Sequence, residues 1–435
     1  MKIKTLKLTN FRNYKYFDID FDKKLNVIVA ENGIGKTTIL DAIAIGFGAM
    51  VTRMPKVSGK SFEEKDLRLE NADSTKKAPY MRIQIDTYQN IVWDRTQSRD
   101  NAKGTKKNIP PAKELGLLYA YVDEIIYELN EQNNNIDVPL IIYYGTSRAV
   151  LRSPLRKRNF QKNFSRFEAL NGALNADADF HRLFQWFDAM EDKERRLIKE
   201  KRDFDFVLPE LTAVRNAITT MLPEFSNPHI ETRPLRFMID KNMNGQTLSY
   251  RIDQLSDGYK TVLAMVMDIA ARMSEANPHL SNPLESEAII MIDEVDLHLH
   301  PRWQQNILID LQRTFPNVQF IVTTHSPQVL TTVEAKNIQA IVLENGEPKK
   351  EIFDFSYGAK SHELLKEILG VDERPQNLEI VQKLNRYLKM VDQNEYNSSD
   401  AKALRSELNN WGYGREKELL KADMDIRLKE YQKNR

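Results

Sequence analysis

At 435 residues the chain is long enough to bury a full core and to form two or three structural units. Its 63 basic and 62 acidic residues leave a net charge of +1, so any nucleic-acid or membrane surface must be local rather than global. Cysteine is absent, which excludes disulfides and thiolate metal sites and fits a reducing compartment.

Residues 1–8 alternate polar and apolar, the pattern of a strand and not of an apolar leader core. A turn at 10–14, a strand at 16–21 and a buried strand at 25–29 lead into a glycine-bearing loop and a helix over 36–50. Two polar stretches, 53–79 and 96–113, read as mobile loops around strands at 80–87 and 90–95. A helix follows at 115–129 and an apolar strand at 139–144. Between about 155 and 225 the aromatic and apolar residues Phe164, Phe167, Leu170, Leu174, Phe180, Leu183, Phe184 and Phe187 recur at helical spacing. This predicts a helical insertion whose length allows two helices of roughly 30 residues, about 45 Å at ~1.5 Å per residue. Strands resume at 229–239 and 247–252, then a helix at 259–273, an apolar strand at 288–292, a helix at 302–314 and a strand at 318–323. A helix from Pro327 and paired strands at 338–343 and 348–353 complete that part, and from Ser361 the pattern is helical and polar. The expected organisation is 1–150, 151–228 as a helical insertion, 229–358, and 359–435 as a helical appendage. No apolar run approaches the ~20 residues of a membrane-spanning helix, so a soluble, cytoplasmic protein without a membrane partner is expected.

Four short segments carry chemistry. Ala30-Glu31-Asn32-Gly33-Ile34-Gly35-Lys36-Thr37-Thr38 lies between a strand and a helix, the context a phosphate loop requires. Gly33 and Gly35 leave backbone amides unobstructed, Lys36 offers a point charge to terminal phosphates, and Thr37 offers a hydroxyl to magnesium. Ala30 stands where the usual first glycine would be. Asp293 and Glu294 end an apolar strand, where open α/β sheets place ligands. Asp293 is expected to help hold magnesium, and Glu294 to orient the attacking water. Ser256 and Gly258 precede an apolar helix, so the hydroxyl and the helix amino end can face an anion. His325 ends the strand expected beside the acidic pair, where an imidazole can sense the γ-phosphate.

Three other features have competing readings. His298 and His300 superficially suggest metal ligands, but no third ligand has suitable spacing, and Asp296 is the better candidate for coupling two sites. Asp423 and Asp425 sit in a lysine-rich helical stretch and read as a solvated helix face. The run from Arg148 to Arg166, with Arg152, Arg156, Lys157, Arg158 and Lys162, contains no acid, and Phe160, Phe164 and Phe167 interleave with it. It is open to direct DNA or RNA contact, a protein partner, or a solvated face with a core-facing aromatic stripe.

The order of these motifs resembles the RecF/SMC-like branch of ABC ATPases. The shared segments are Asn10-Phe11-Arg12-Asn13-Tyr14, Leu255-Ser256-Asp257-Gly258-Tyr259, Asp293-Glu294-Val295-Asp296-Leu297-His298-Leu299-His300-Pro301 and Thr323-Thr324-His325-Ser326-Pro327. Within that branch the chain is similar to the PtuA-like ATPases of anti-phage defence, found in Septu systems and with some retrons. The resemblance implies an α/β fold: an ABC-type ATPase head with a mixed sheet and phosphate-loop core, a short helical insertion lobe and a helical C-terminal tail. It implies ATP and Mg2+ as cofactors, with Asn32, Gly33, Gly35, Lys36, Thr37 and Thr38 on the phosphates, and Thr37 and Asp293 on the metal. Arg12 and Asn13 are implied as contacts near the base or phosphates, and Lys36, Glu294 and His325 as catalytic. Ser256 and Gly258 would complete the site of a second copy, so a homodimer or higher homo-oligomer is implied. The implied partners are an HNH nuclease (PtuB-like) and, in retrons, a reverse transcriptase with its nucleic acid. Segment 143–148 stands where the branch carries a magnesium-coupling glutamine, and it contains none. The leading expectation is a regulatory ATPase controlling a nuclease. Rivals are a RecF-like DNA-binding repair ATPase and a scaffold with ATP as a structural ligand. A transporter motor fits least, because Asp257 and Tyr259 replace the usual Gly and Gln of its signature.

Overall fold

The structure is a computed structural model that describes residues 1–70, 76–107, 109–113, 115–131, 135–148, 164–176, 180–243, 245–412 and 414–433. Its contacts define two units, Met1–Leu364 and Leu365–Arg435.

The first unit begins with β1 (Ile3–Phe11), β2 (Tyr14–Asp20), β3 (Leu25–Ala30) and α1 (Lys36–Arg53), followed by β4 (Tyr80–Thr87) and β5 (Val92–Ser98). Next come α2 (Lys103–Lys107), α3 (Gly116–Asn130), β6 (Leu140–Tyr144), α4 (Phe180–Lys201) and α5 (Pro209–Met221). β7 (Phe225–Thr232), β8 (Leu235–Met243) and β9 (Gln246–Arg251) precede α6 (Asp257–Ala276) and β10 (Ala288–Ile292). The unit continues through α7 (Pro301–Gln304), α8 (Ile307–Thr314), β11 (Val318–Thr323), α9 (Pro327–Leu330), β12 (Ile338–Glu344) and β13 (Glu347–Glu351).

The central sheet has the order β13-β12-β3-β11-β10-β6, parallel except for β13. Every residue of β3, β6, β10 and β11 is buried, as a parallel sheet covered on both faces demands. This explains why these strands are continuous apolar runs and not alternating ones. A four-stranded antiparallel sheet, β2-β1-β4-β5, packs against α1, and a three-stranded meander, β7-β8-β9, forms a third sheet.

The insertion departs from expectation. Its helices have 22 and 13 residues, not two of about 30: the chain turns after α4 at Arg202, with φ 53°, and Pro209 starts a new helix. Both helices pack on α6. The aromatic stripe faces the core, with the rings of Phe180, Phe184 and Phe187 lying 6.1, 5.9 and 5.0 Å from Phe237 on β8. Smaller differences are the helix α2 within the predicted loop 96–113, the turn at 233–234 that splits the expected strand 229–239 into β7 and β8, and the division of the expected helix 302–314 into α7 and α8. At that division Gln304 turns its side chain back to the carbonyls of Asp296 and Leu299.

The basic run also needs correction at both ends. Arg148 is 3% exposed and donates to main-chain carbonyls beside the acidic pair, while Arg166 donates to the carbonyls of Ala276 and Ile136. Neither is a free surface cation, because each satisfies buried acceptors. Arg152, Arg156, Lys157, Arg158, Phe160 and Lys162 lie outside the described residues.

The second unit contains α11 (Glu379–Asp392), α12 (Ser399–Gly412) and α13 (Lys417–Lys433), after α10 (Ser361–Glu367) at the junction. These helices bury Leu384, Tyr387, Val391, Leu408 and Leu419 in a small core. Asp423 is paired with Arg405 at 2.7 Å, and among the described residues no group of three or more metal-type ligands is found.

One buried side chain joins the antiparallel sheet to the central one. Gln319 on β11 is fully buried; its Nε2 donates to the carbonyls of Ile3 and Asp22, each at 2.7 Å, and its Oε1 accepts the Ile3 N–H at 2.8 Å. Gln319→Leu removes these partners from the Ile3 N–H and carbonyl, while the Asp22 carbonyl keeps the Asn26 side-chain amide at 2.9 Å, and is expected to destabilise the first unit by about 2 kcal/mol. A lowered urea midpoint with an unchanged slope checks this.

Candidate nucleotide site

Parallel register builds the site. β3, β11 and β10 are neighbours, with Ile28 opposite Thr323 and Val322 opposite Ile292. Their carboxyl ends therefore bring the phosphate loop, Thr323 to His325, and Asp293 to Glu294 side by side. Gly33 and Gly35 take φ of 85° and 123°, so the loop between β3 and α1 uses conformations that favour glycine.

Asp293 is 3% exposed and both its carboxylate oxygens are occupied. Oδ2 accepts from the Thr37 hydroxyl at 2.7 Å, and Oδ1 from the Thr323 hydroxyl at 2.6 Å. The Thr323 hydroxyl also accepts the Glu294 N–H at 2.7 Å, which fixes the main chain of the second acid. The sequence marks Thr323 only as the first residue of the segment Thr323–Ser326 and gives it no role of its own; a threonine ending an apolar strand has no assignable partner until its neighbours in the sheet are known.

Lys36 is buried, with Nζ donating to the Ala30 carbonyl at 2.8 Å and to Glu31 at 3.4 Å. Burial lowers its pKa below the usual lysine range, while Asp293, Glu294 and Asp296 oppose that shift. His325 is half-buried; burial, and then the charge of Lys36, hold its pKa below the ordinary imidazole value. Asp296 accepts from the Thr324 hydroxyl at 2.5 Å, which ties its loop to the end of β11.

Arg12 pairs with Asp41 at 2.7 Å and Asp66 at 2.8 Å, and Asn13 donates to the Gly33 carbonyl at 2.8 Å. Both line a cavity of about 690 Å³ together with Asp41, Lys65 and Arg68. Asn13 thus touches the phosphate loop, whereas the Arg12 guanidinium is committed to two carboxylates.

Ser256 and Gly258 are not part of this cluster. Ser256 is exposed at the N-cap of α6, and among the described residues none of the hydrogen bonds that hold the cluster involves either residue. Gly258 is buried against the loop that follows Glu294: a Cβ there would lie 2.7 Å from the His298 carbonyl oxygen. His300 accepts the Arg302 N–H at 3.3 Å as the cap of α7, a structural role and not metal ligation.

The set combines a cationic loop, hydroxyl and carboxylate oxygens suited to a hard divalent cation, and an acid and an imidazole beside them. Its chemistry is that of nucleoside triphosphate hydrolysis.

The family described as AAA domain matches residues 5–226. The chain is 30% identical to the Retron Ec83 probable ATPase of Escherichia coli, over 94% of this chain and 83% of that protein. It is 27% identical to the Septu protein PtuA of Bacillus mycoides (strain KBAB4), over 79% of this chain and 41% of that protein. Among solved structures, an SMC head bound to the C-winged helix domain of ScpA covers 81% of this chain and 98% of its own, at 17% identity and a TM-score of 0.46. With the phosphate loop, the acidic pair and the strand-end histidine gathered at the carboxyl ends of three central strands, the chain belongs to the AAA-domain family as an ATP hydrolase related to the retron and Septu ATPases.

Proposed function

We propose that the chain binds and hydrolyses ATP in a head-to-head dimer and, through the change of shape that follows, controls an associated HNH-type nuclease in anti-phage defence. The observation that carries the dimer is the separation of Ser256 from the rest of the site. Asp293 joins Thr37 and Thr323 in one cluster, while Ser256 stands exposed at the amino end of α6. A serine hydroxyl and a 20-residue helix terminus facing outward suit the γ-phosphate of a nucleotide held by a second copy. The nuclease and, in a retron setting, a reverse transcriptase with its nucleic acid are taken from the kinship with the retron and Septu ATPases.

In this scheme Asn32, Gly33, Gly35, Lys36 and Thr38 hold the phosphates, and Asn13 fixes the loop through Gly33, with Arg12 beside it. Thr37 and Asp293 are the oxygen donors for Mg2+, which when bound neutralises charge on the β- and γ-phosphates. Glu294 orients and polarises the attacking water, and neutral His325 accepts or donates a hydrogen bond at the same strand ends. Gly258 seats the signature turn. Direct DNA binding is less favoured, since Arg148 and Arg166 are turned into the protein.

Mixing two inactive variants tests the shared site. Lys36→Ala and Ser256→Arg should each abolish hydrolysis alone; random pairing makes about half the dimers mixed, each with one complete site, so roughly a quarter of the wild-type rate returns. No recovery, or full activity in Ser256→Arg alone, rejects the arrangement. Co-purification with a genetically neighbouring HNH protein, and cleavage that depends on nucleotide, tests the partner.

His325 supplies the pH dependence. Because its pKa is depressed, the imidazole is neutral above that value, and protonation places a second cation near Lys36 as pH falls through it. Turnover at saturating ATP should therefore be flat at neutral pH and fall on the acid side, with a midpoint below 6.5. His325→Asn should be slower and should lose that acid limb.

A further inference from the structure

We propose that Arg148 is the positioning residue of the acidic pair: its guanidinium holds the main chain at Asp293 and Glu294 so that the Glu294 carboxylate keeps its working orientation. The inference rests on Glu294 being the water-orienting acid.

The backbone at Glu294 is unusual. Its φ of 47° lies in the left-handed region, which disfavours a residue with a side chain, so neighbouring groups must hold it there. The N–H groups are held from two sides. Asp293 N–H donates to the Tyr144 carbonyl at 2.8 Å, Glu294 N–H to the Thr323 hydroxyl at 2.7 Å, and Val295 N–H to the Thr323 carbonyl at 2.9 Å. Arg148 takes the carbonyl side. One Nη donates to the carbonyls of Asp293 and Gly145, the second at 2.9 Å, and the other Nη donates to the Glu294 carbonyl at 2.6 Å. The Glu294 carbonyl also accepts the Leu297 N–H at 2.9 Å.

The geometry suits a guanidinium and not an ammonium. Three acceptors on two chain segments are reached by a planar fork of fixed donors, which a single flexible Nζ cannot reproduce. Arg148 stands just past the end of β6, whose Tyr144 is opposite Ile292 of β10, so the side chain crosses directly over the strand end that carries the acids. It is 3% exposed, so its charge acts in a poorly screened setting. Burial pulls its pKa down to about 10 while Asp293, Asp296 and Glu294 hold it up, and it remains a cation at neutral pH. That charge offsets the mutual repulsion of three closely placed carboxylates without occupying a side-chain oxygen of Asp293 or Glu294.

The test uses Arg148→Met and Arg148→Lys in the full chain. Arg148→Met should lower kcat by about 10²-fold, the scale of a misplaced reacting group, with ATP affinity within about threefold of wild type. Arg148→Lys should recover part of that loss, because it restores the charge but not the fork. A kcat for Arg148→Met within about threefold of wild type, or a fall in affinity that matches the fall in rate, overturns the proposal. If Arg148→Met does not fold, Arg148→Lys decides alone: an unchanged kcat overturns, and a lowered kcat at constant affinity supports. Glu294→Gln is measured in parallel, and a wild-type rate there removes the catalytic reading of Glu294. Hydrogen exchange at the amides of Val295 and Leu297 judges Arg148 independently of turnover. Exchange should be at least about tenfold faster in the variants, and unchanged exchange overturns the positioning role.

Discussion

The carboxylate of Asp293 is the point on which the first unit closes. A buried ion is tolerated only when its lone pairs are matched, and here each oxygen takes one hydroxyl, from Thr37 at the start of α1 and from Thr323 at the end of β11. Those two threonines lie far apart in the chain yet flank one strand end, so the three bodies that carry the phosphate loop, the acidic pair and the strand-end histidine have a single relative arrangement. At the opposite end of β11, Gln319 pins the amino-terminal sheet by the same logic of matched buried groups. The site is consequently a product of sheet closure and not of loops folded over a surface.

Positive charge is distributed around this carboxylate from two directions. Lys36 approaches from the phosphate loop, with its ammonium against the Ala30 carbonyl, and Arg148 approaches from the far side, beyond β6. The two differ in what they can release. Lys36 is held by main-chain carbonyls of its own loop, partners it can exchange for phosphate oxygens at small cost. Arg148 holds carbonyls that have only part of their bonding met elsewhere, so moving it would disturb the backbone of the acids. One cation is suited to a ligand and the other to the frame. The turn that follows β6 delivers a guanidinium to the main chain behind the acids.

Much of this architecture is legible in the sequence for a physical reason. Parallel strands covered on both faces must be apolar throughout, so β3, β6, β10 and β11 stand out as short runs bounded by loop residues. Phosphate chemistry needs small residues and a lysine in a fixed order, which marks Gly33 to Thr37. The aromatic stripe of α4 is equally visible, because Phe180, Phe184 and Phe187 recur at the helical period. What stays hidden depends on which strands become neighbours. Arg148 opens a run of seven cations without an acid, and such a run reads as solvated surface; only the pairing of β6 with β10 places its first member over the acidic pair. Thr323 is hidden for the same reason. Helix lengths in the insertion are obscured differently: Pro209 marks the start of the second helix, but the charged run over 191–205 does not show where the first one stops, and the left-handed backbone at Arg202 does.

The contacts of α6 explain how an event at the acids can reach the exposed Ser256. Along its length α6 is held to β6 by a buried chain: the Tyr144 hydroxyl donates to Asp268 at 2.7 Å, Arg272 pairs with the same carboxylate at 2.8 Å, and Arg272 reaches the carbonyls of Ala169 and Asn171. At its amino end Gly258 lies against the His298 carbonyl with no room for a Cβ. The helix is therefore fixed to the strand beside the acids and, at its tip, to the loop that the acids begin. A displacement of residues 295–300 has little slack to absorb it before the signature turn moves, because close-packed backbone shifts as a unit where a side chain could have yielded. Glycine at 258 is thus a mechanical requirement of the packing between α6 and residues 295–300.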